Sequence, residues 1–217
     1  MMDAKTTRDQ VVRDAKSTLI LDAALKVFSE KGFHEARLDD IAVAAGFSKA
    51  SLYNYYEDKE SIFLNLLIRM HEKIIETLSA GIQKDQHILE NLTSMLRSIL
   101  KIYYENFSFS MTMSDLKSMA PVSIEKFQKH HESLMMRFKE HSAQMLELSV
   151  NVFSNARARG EIKSSIDDKT LAEFVTALIH GVLFDCKARG KIEIDEKLIS
   201  NIREFLVKGI GIFPKPM

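Results

Sequence analysis

Five side chains within seven residues carry the chemistry that stands out: Lys49, Ser51, Tyr53, Asn54 and Tyr55, in the stretch GFSKASLYNYYEDKE, residues 46–60. A lysine and several hydroxyls bind phosphate oxygens; an asparagine reads the paired donor and acceptor of an adenine edge; ring edges and phenols meet thymine methyls or phosphates. Three of the chain's 5 tyrosines, Tyr53, Tyr55 and Tyr56, fall here. Gly46 tolerates the left-handed backbone that reverses a chain, and Ser48 is a good N-cap for a helix that follows. Helix propensity and spacing predict two short helices, about 38–45 and 49–56, around that turn. Ile41, Ala42, Ala45, Phe47 and Leu52 can form the small core between them, and alanines at 42, 44 and 45 let them cross closely. The second helix is then expected to turn Lys49, Ser51, Tyr53, Asn54 and Tyr55 outward, with Tyr56 in the packing. This is the form of a helix-turn-helix.

Other candidate constellations are weaker. Seven of the 11 methionines lie between 95 and 145, with Tyr103, Tyr104, Phe107, Phe109, Phe127 and Phe138 among them. Ordinary core accounts for any one of these residues, yet methionine is the adaptable filler of ligand sites. His130, His131 and His141 suggest a metal, but the neighbours 130 and 131 point about 100° apart on a helix and do not easily share one ion, and no cysteine or carboxylate completes a set. They are expected to be solvated, with no metal and no cofactor. His180, inside the apolar run TALIHGVLF, needs a polar partner. There is no nucleophile–base arrangement and no phosphate-cradling glycine loop, so enzymatic activity is not expected.

The rest of the chain must position these groups. It has 217 residues, 46% hydrophobic, with only 3 Pro and 8 Gly to break it. Apolar spacing predicts helices at 14–31, 58–80, 85–106, from Pro121 to Gly160, 167–188 and 195–209, and no strand. The fold class is all-α. Net charge is zero, with 30 basic and 30 acidic residues; residues 1–60 hold 9 of the former and 11 of the latter, a net of −2. A broad basic footprint is therefore missing, and Lys5, Arg8, Arg13 and Lys16 are read as an arm ahead of the first helix. One cysteine, Cys186, excludes an internal disulfide and fits a reduced cytoplasmic setting. No apolar leader or membrane-spanning run is seen.

With these residues placed, VFSEKGFHEARLDDIAVAAGFSKASLYNYYEDKESIF (27–63) resembles the DNA-binding signature of the TetR family of bacterial transcriptional regulators. Phe28, Gly32, Phe33, Ile41, Ala42, Ala45, Gly46, Ser48, Ser51, Tyr53, Tyr56, Lys59 and Ile62 fall at its positions. Arg37 departs from it, standing where Ser or Thr is usual. The resemblance implies an N-terminal three-helix DNA-binding domain, residues 1–57, and a C-terminal helical domain, residues 58–217, that binds an effector and dimerises. It implies that Tyr53 and Lys59 hold phosphates, that Lys49, Ser51, Asn54 and Tyr55 face the major groove of double-stranded operator DNA, and that Tyr56 is core. Arg37 either contacts DNA or leaves its helix start frayed.

For the second domain the expectation is a largely hydrophobic small-molecule effector. Its wall is read as Met95, Ile99, Tyr103, Phe107, Met111, Met113, Phe127, Met135 and Phe138, with Tyr103 or His180 fixing one polar end. The helices at 167–188 and 195–209 are apolar on more than one face. Their expected role is a four-helix homodimer seam through Leu171, Phe174, Leu178, Gly181, Val182, Leu198, Ile202 and Phe205. The helix at 58–80 is the expected lever between the domains. The alternative reading is a DNA-bound interaction protein with no effector.

Overall fold

The computed structural model describes residues 4–105, 129–188 and 196–210. Those residues are helical, with no strand pairing into a sheet among them. The helices are α1 (Ala4–Glu35), α2 (Leu38–Ala45), α3 (Lys49–Tyr53), α4 (Lys59–Gly81), α5 (Ile88–Glu105), α6 (Glu132–Ala158), α7 (Asp168–Ala188) and α8 (Glu196–Ile210). No helix among them is long and apolar enough to cross a membrane. They divide into two compact units. One runs to Arg69 and takes in, of the later described residues, 129–138; the other holds Met70–Glu105 and the described residues from Lys139 onward.

The first unit is organised by three fully buried phenylalanines. Phe28, Phe33 and Phe63 meet at ring-centroid distances of 5.6, 5.8 and 5.0 Å, two of the pairs edge-on. Offset and edge contacts match the negative face of one ring to the positive rim of another. Bringing Phe33 back onto Phe28 requires α1 to break between them. Gly32 makes the break at φ 75°, ψ 165°, a backbone region that only glycine occupies at low cost. Helix α1 begins ten residues earlier than its apolar pattern, so Lys5, Arg8, Arg13 and Lys16 lie on a helix and not on an arm ahead of it. Polar contacts one turn apart support that extension: Gln10 donates to Asp14 at 2.7 Å, and Thr18 to the Asp14 carbonyl at 3.0 Å. Arg69 on α4 reaches Asp22 on α1 at 2.7 Å.

In the second unit α5 packs against α7 and α8. Its stripe Ile88, Leu92, Met95, Leu96 and Leu100 is buried, and so are Ile199, Ile202 and Leu206 of α8. The start of α5 is held from far along the chain. Glu161 accepts the Ile88 N–H at 2.8 Å across 73 residues, and Arg159 binds both Glu161 and the carbonyls of Lys84 and Gln86. Arg157 fastens the next loop, donating to Asp168 at 2.7 Å and to the Ser164 and Ile166 carbonyls at 2.6 and 2.5 Å.

Two expectations fail at the level of elements. Leu171 and Ile202 are inside their own chain, 0% and 6% exposed, because each sits on the inward stripe of its helix; they are not available to a seam. His130 and His131 are not adjacent positions of one regular helix. His131 lies in the bend before α6, is 5% exposed, and its ring meets that of His130 at 4.7 Å, so the 100° argument does not apply.

Candidate nucleic-acid interface

Helices α2 and α3 are joined by three residues, and each side of the joint is closed by its own hydrogen bonds. At the end of α2, Gly46 adopts φ 73°, ψ 27°, and the Phe47 N–H returns to the Ala42 carbonyl at 2.9 Å. This pattern satisfies carbonyls that the ending helix would leave unpaired. At the start of α3, Ser48 Oγ accepts the Ser51 N–H at 3.1 Å. Ile41, Ala42 and Leu52 are buried between the helices and α1. Ala44 instead faces solvent, so close crossing falls to Ala42 and the half-buried Ala45. Helix α3 itself spans only Lys49–Tyr53, and the coil continues as a turn through Tyr55, where the Tyr56 N–H still reaches the Leu52 carbonyl at 3.1 Å.

The outward residues of this turn are Lys49, Tyr53 and Asn54, all exposed, with Tyr53 at 49%. Ser51 and Tyr55 are half-buried. The Ser51 hydroxyl meets the Ser48 hydroxyl at 2.8 Å, and Tyr55 sets its ring edge-on to Phe47 at 6.2 Å. Tyr56 is core, as its resemblance-based role requires: its phenol contacts Ser17 Oγ at 2.6 Å, and burial pushes its pKa up. Lys49 lies 3.0 Å from Asp39 of α2, and that hydrogen bond raises the lysine's pKa. Val43, 81% exposed on α2, adds an apolar contact surface beside them.

Lys59 is placed differently from expectation. Its ammonium has three protons, and it donates to the carbonyls of Phe33, His34 and Ala36 at 2.9, 3.1 and 3.2 Å while lying 4.7 Å from the Phe33 ring centre. All three protons are spent on the end of α1, so the residue closes the three-helix unit and does not present a cation to a phosphate. Arg37 is exposed, and its helix start is not frayed. Its backbone N–H donates to Asp40 Oδ2 at 3.1 Å, and Lys31 holds Asp40 at 2.8 Å. That pairing, with Lys31 first, keeps the Asp40 carboxyl below its ordinary value. Its guanidinium therefore has no capping duty.

Arg13 is the positioning residue that sequence spacing did not single out. It donates to the Asn54 carbonyl at 3.2 Å and lies 5.6 Å over the Tyr55 ring, tying α1 to the outward turn. Its type was visible; its partner 41 residues away was not.

The residues expected to bind an effector are described only in part. Phe107, Met111, Met113 and Phe127 lie outside the described residues. In the second unit Met95 is buried, Ile99 and Tyr103 are half-buried, and Tyr103 meets His180 edge-on at 6.3 Å. Burial pushes the Tyr103 phenol up. His180 itself is exposed. Near it are His71 and His141, neither expected to take part. His71 is pushed down to about 4 by burial, with the charges of His141 and His180 adding to the effect. The buried Nδ1 of His141 has no hydrogen-bond partner among the described residues. Met135 and Phe138 are half-buried in the first unit.

Residues 20–66 match the family model described as "Bacterial regulatory proteins, tetR family". The HTH-type transcriptional regulator UidR of Escherichia coli (strain K12) is 24% identical over 188 residues, 87% of this chain and 88% of that protein. The fatty acid metabolism regulator protein of Bacillus subtilis (strain 168) is 22% identical over 191 residues, 88% of this chain and 93% of that protein. Among solved structures, the transcriptional regulator FadR from Bacillus subtilis, in complex with stearoyl-CoA, superposes with a TM-score of 0.74 at 20% identity, over 89% of this chain and 98% of that one. A turn built as described lies within the segment that matches the TetR family's DNA-binding model, in an all-helical chain similar over most of its length to helix-turn-helix transcriptional regulators.

Proposed function

We propose that the chain is a ligand-responsive repressor that binds a palindromic operator as a homodimer and is released by a largely hydrophobic small molecule. Residues 1–57 bind the DNA, and residues 58–217 sense and dimerise. The observation that carries the reading is the outward turn of α3, where Lys49, Tyr53 and Asn54 project together from a braced three-helix unit. Tyr53 and Lys49 are assigned phosphates, Asn54 and Tyr55 base edges, with Ser51 bracing α3 from within its cap. Because phosphate contacts carry no sequence information, Tyr53→Phe should weaken binding to specific and scrambled duplexes alike. Asn54→Ala should cost about 1–3 kcal/mol on the preferred operator and relax its sequence choice. Unchanged affinity in both variants refutes the assignment.

The dimer is supported by apolar side chains that are exposed among the described residues. Phe174 and Phe184 of α7 and Phe205 of α8 are 58%, 65% and 61% exposed, and a Cβ at Gly181 between the first two would meet nothing within 4 Å among the described residues. Half-buried Leu178, Val182 and Leu198 border them. Three exposed phenylalanines on the last two helices, both packed on α5, are a surface that a second copy covers. The hydrophobic effector is supported by the Met95, Ile99 and Tyr103 lining, which does not offset the desolvation of a compact anion, and by the acyl-CoA held by the Bacillus subtilis structure. His180 and the unpartnered Nδ1 of His141 supply polar anchors beside it. Long-chain acyl compounds should raise the melting temperature and lower operator affinity by one shared coupling factor. A melt that responds only to polar metabolites refutes the hydrophobic effector.

A further inference from the structure

Three donor atoms converge at the junction that follows α3. Nε2 of His131 lies 3.3 Å, and Nε2 of His130 3.5 Å, from the same oxygen, Oδ2 of Asp58. All three donor atoms lie within 4.8 Å of one another. The other carboxylate oxygen, Oδ1, is already engaged, accepting the Ser61 N–H at 2.7 Å as it caps α4. That bond fixes the aspartate with Oδ2 turned to the two imidazoles. The carboxylate that meets them is supplied from more than seventy residues upstream, correcting the expectation that none completes a set, and the bend at His131 lets consecutive histidines aim at one point.

The two separations from Asp58 Oδ2 favour one of two readings. A charge-assisted hydrogen bond from an imidazolium to a carboxylate closes to about 2.7–2.9 Å, and both separations here are longer. A tetrahedral ion with donors about 2.0–2.1 Å away spaces neighbouring donors about 3.3 Å apart, which the two separations match closely. We propose that Asp58, His130 and His131 form a binding site for a divalent transition-metal ion of the zinc class. Two imidazole nitrogens and one carboxylate oxygen select such ions over magnesium and calcium, which take oxygen donors. His131, 5% exposed, is the inner wall; His130, with 52% of its side chain exposed, leaves an entry from solvent. Glu57 Oε1, 3.7 Å from His130 Nε2, is placed to become a fourth ligand, with water as the substitute. Because Asp58 caps α4 and follows the α3 turn directly, a bound ion joins residues 130–131 to the base of the DNA-reading element.

The test uses the full chain stripped with chelator and titrated with cobalt(II), whose visible absorption reports tetrahedral coordination, followed by zinc competition and a magnesium control. One equivalent per chain is expected, with affinity lost by at least about tenfold in both His130→Ala and Asp58→Asn. Asparagine keeps an oxygen for the Ser61 N–H, so Asp58→Asn preserves the helix cap, and circular dichroism of each variant checks that the fold is retained. No saturable cobalt or zinc binding by the native chain overturns the proposal, as does binding undiminished in both folded variants or magnesium binding of equal strength.

Discussion

Replacing Lys59 by alanine separates a bracing lysine from a phosphate-binding one. The substitution deletes an ammonium that donates to three carbonyls at 2.9–3.2 Å and covers the Phe33 ring. One hydrogen bond to a charged group contributes about 1.5–3 kcal/mol net. The three bonds share a single charge, and the His34 carbonyl is exposed enough for water to replace the lysine. The set is therefore worth about 2–3 kcal/mol, not three times one bond. With a urea m-value of about 1–3 kcal/mol/M, the unfolding midpoint should fall by about 1 M. The chain has no tryptophan, so circular dichroism is the readout. The second measurement is operator affinity against salt, well below the unfolding range. A phosphate contact contributes about 0.9 to the slope of log affinity on log salt, whereas a brace leaves that slope unchanged. An unchanged midpoint with a slope reduced by about 0.9 per protomer refutes the reasoning.

Further outcomes are expected from other positions. Gly32→Ala, at φ 75° and ψ 165°, should destabilise by about 1–3 kcal/mol through backbone strain, since its Cβ would meet nothing within 4 Å among the described residues; urea midpoints give the value. Phe205→Glu and Phe174→Glu should yield folded monomers by sedimentation, because both side chains are exposed within one chain; dimers that persist in both variants place the seam elsewhere. His71 titrates at about 4 when folded against an ordinary 6.5, so the unfolded chain takes up its proton first. Stability should be fully present above pH 6.5 and decline between 6.5 and 4, by a total on the order of 3 kcal/mol, and His71→Leu should flatten that part of the pH profile.

Elements bounded by local chemistry were legible in the sequence. Helix α2 occupies Leu38–Ala45 as read, because acids in its first turn and Gly46 at its end mark both limits. Apolar spacing marks α1 only from residue 14 because its first turns carry no apolar stripe; polar pairs such as Gln10–Asp14 support them. Roles set by distant partners were not legible. A lysine's type does not say whether its protons go to phosphate or to carbonyls, and those of Lys59 go to a helix end 23 to 26 residues away. The apolar pattern of residues 121–160 implies an unbroken helix through His130 and His131, and the turn at His131 changes where they point. The outward position of Lys49, Tyr53 and Asn54 was readable because turn, cap and core residues all lie within one short stretch.

The anchoring of α5 by Glu161 also bears on how the chain is made. Ribosomal synthesis delivers Ile88 long before the carboxylate that holds its N–H, and Arg159, which fastens the carbonyls of Lys84 and Gln86, arrives just as late. The three-helix unit around Phe28, Phe33 and Phe63 draws its aromatic core from the first part of the chain and has it in hand early. Helix α5 must wait with an unanchored first turn and an uncovered apolar stripe, since its partners on α7 and α8 are translated last. A nascent chain stalled short of residue 161 therefore exposes that stripe, the kind of surface that chaperones and proteases recognise.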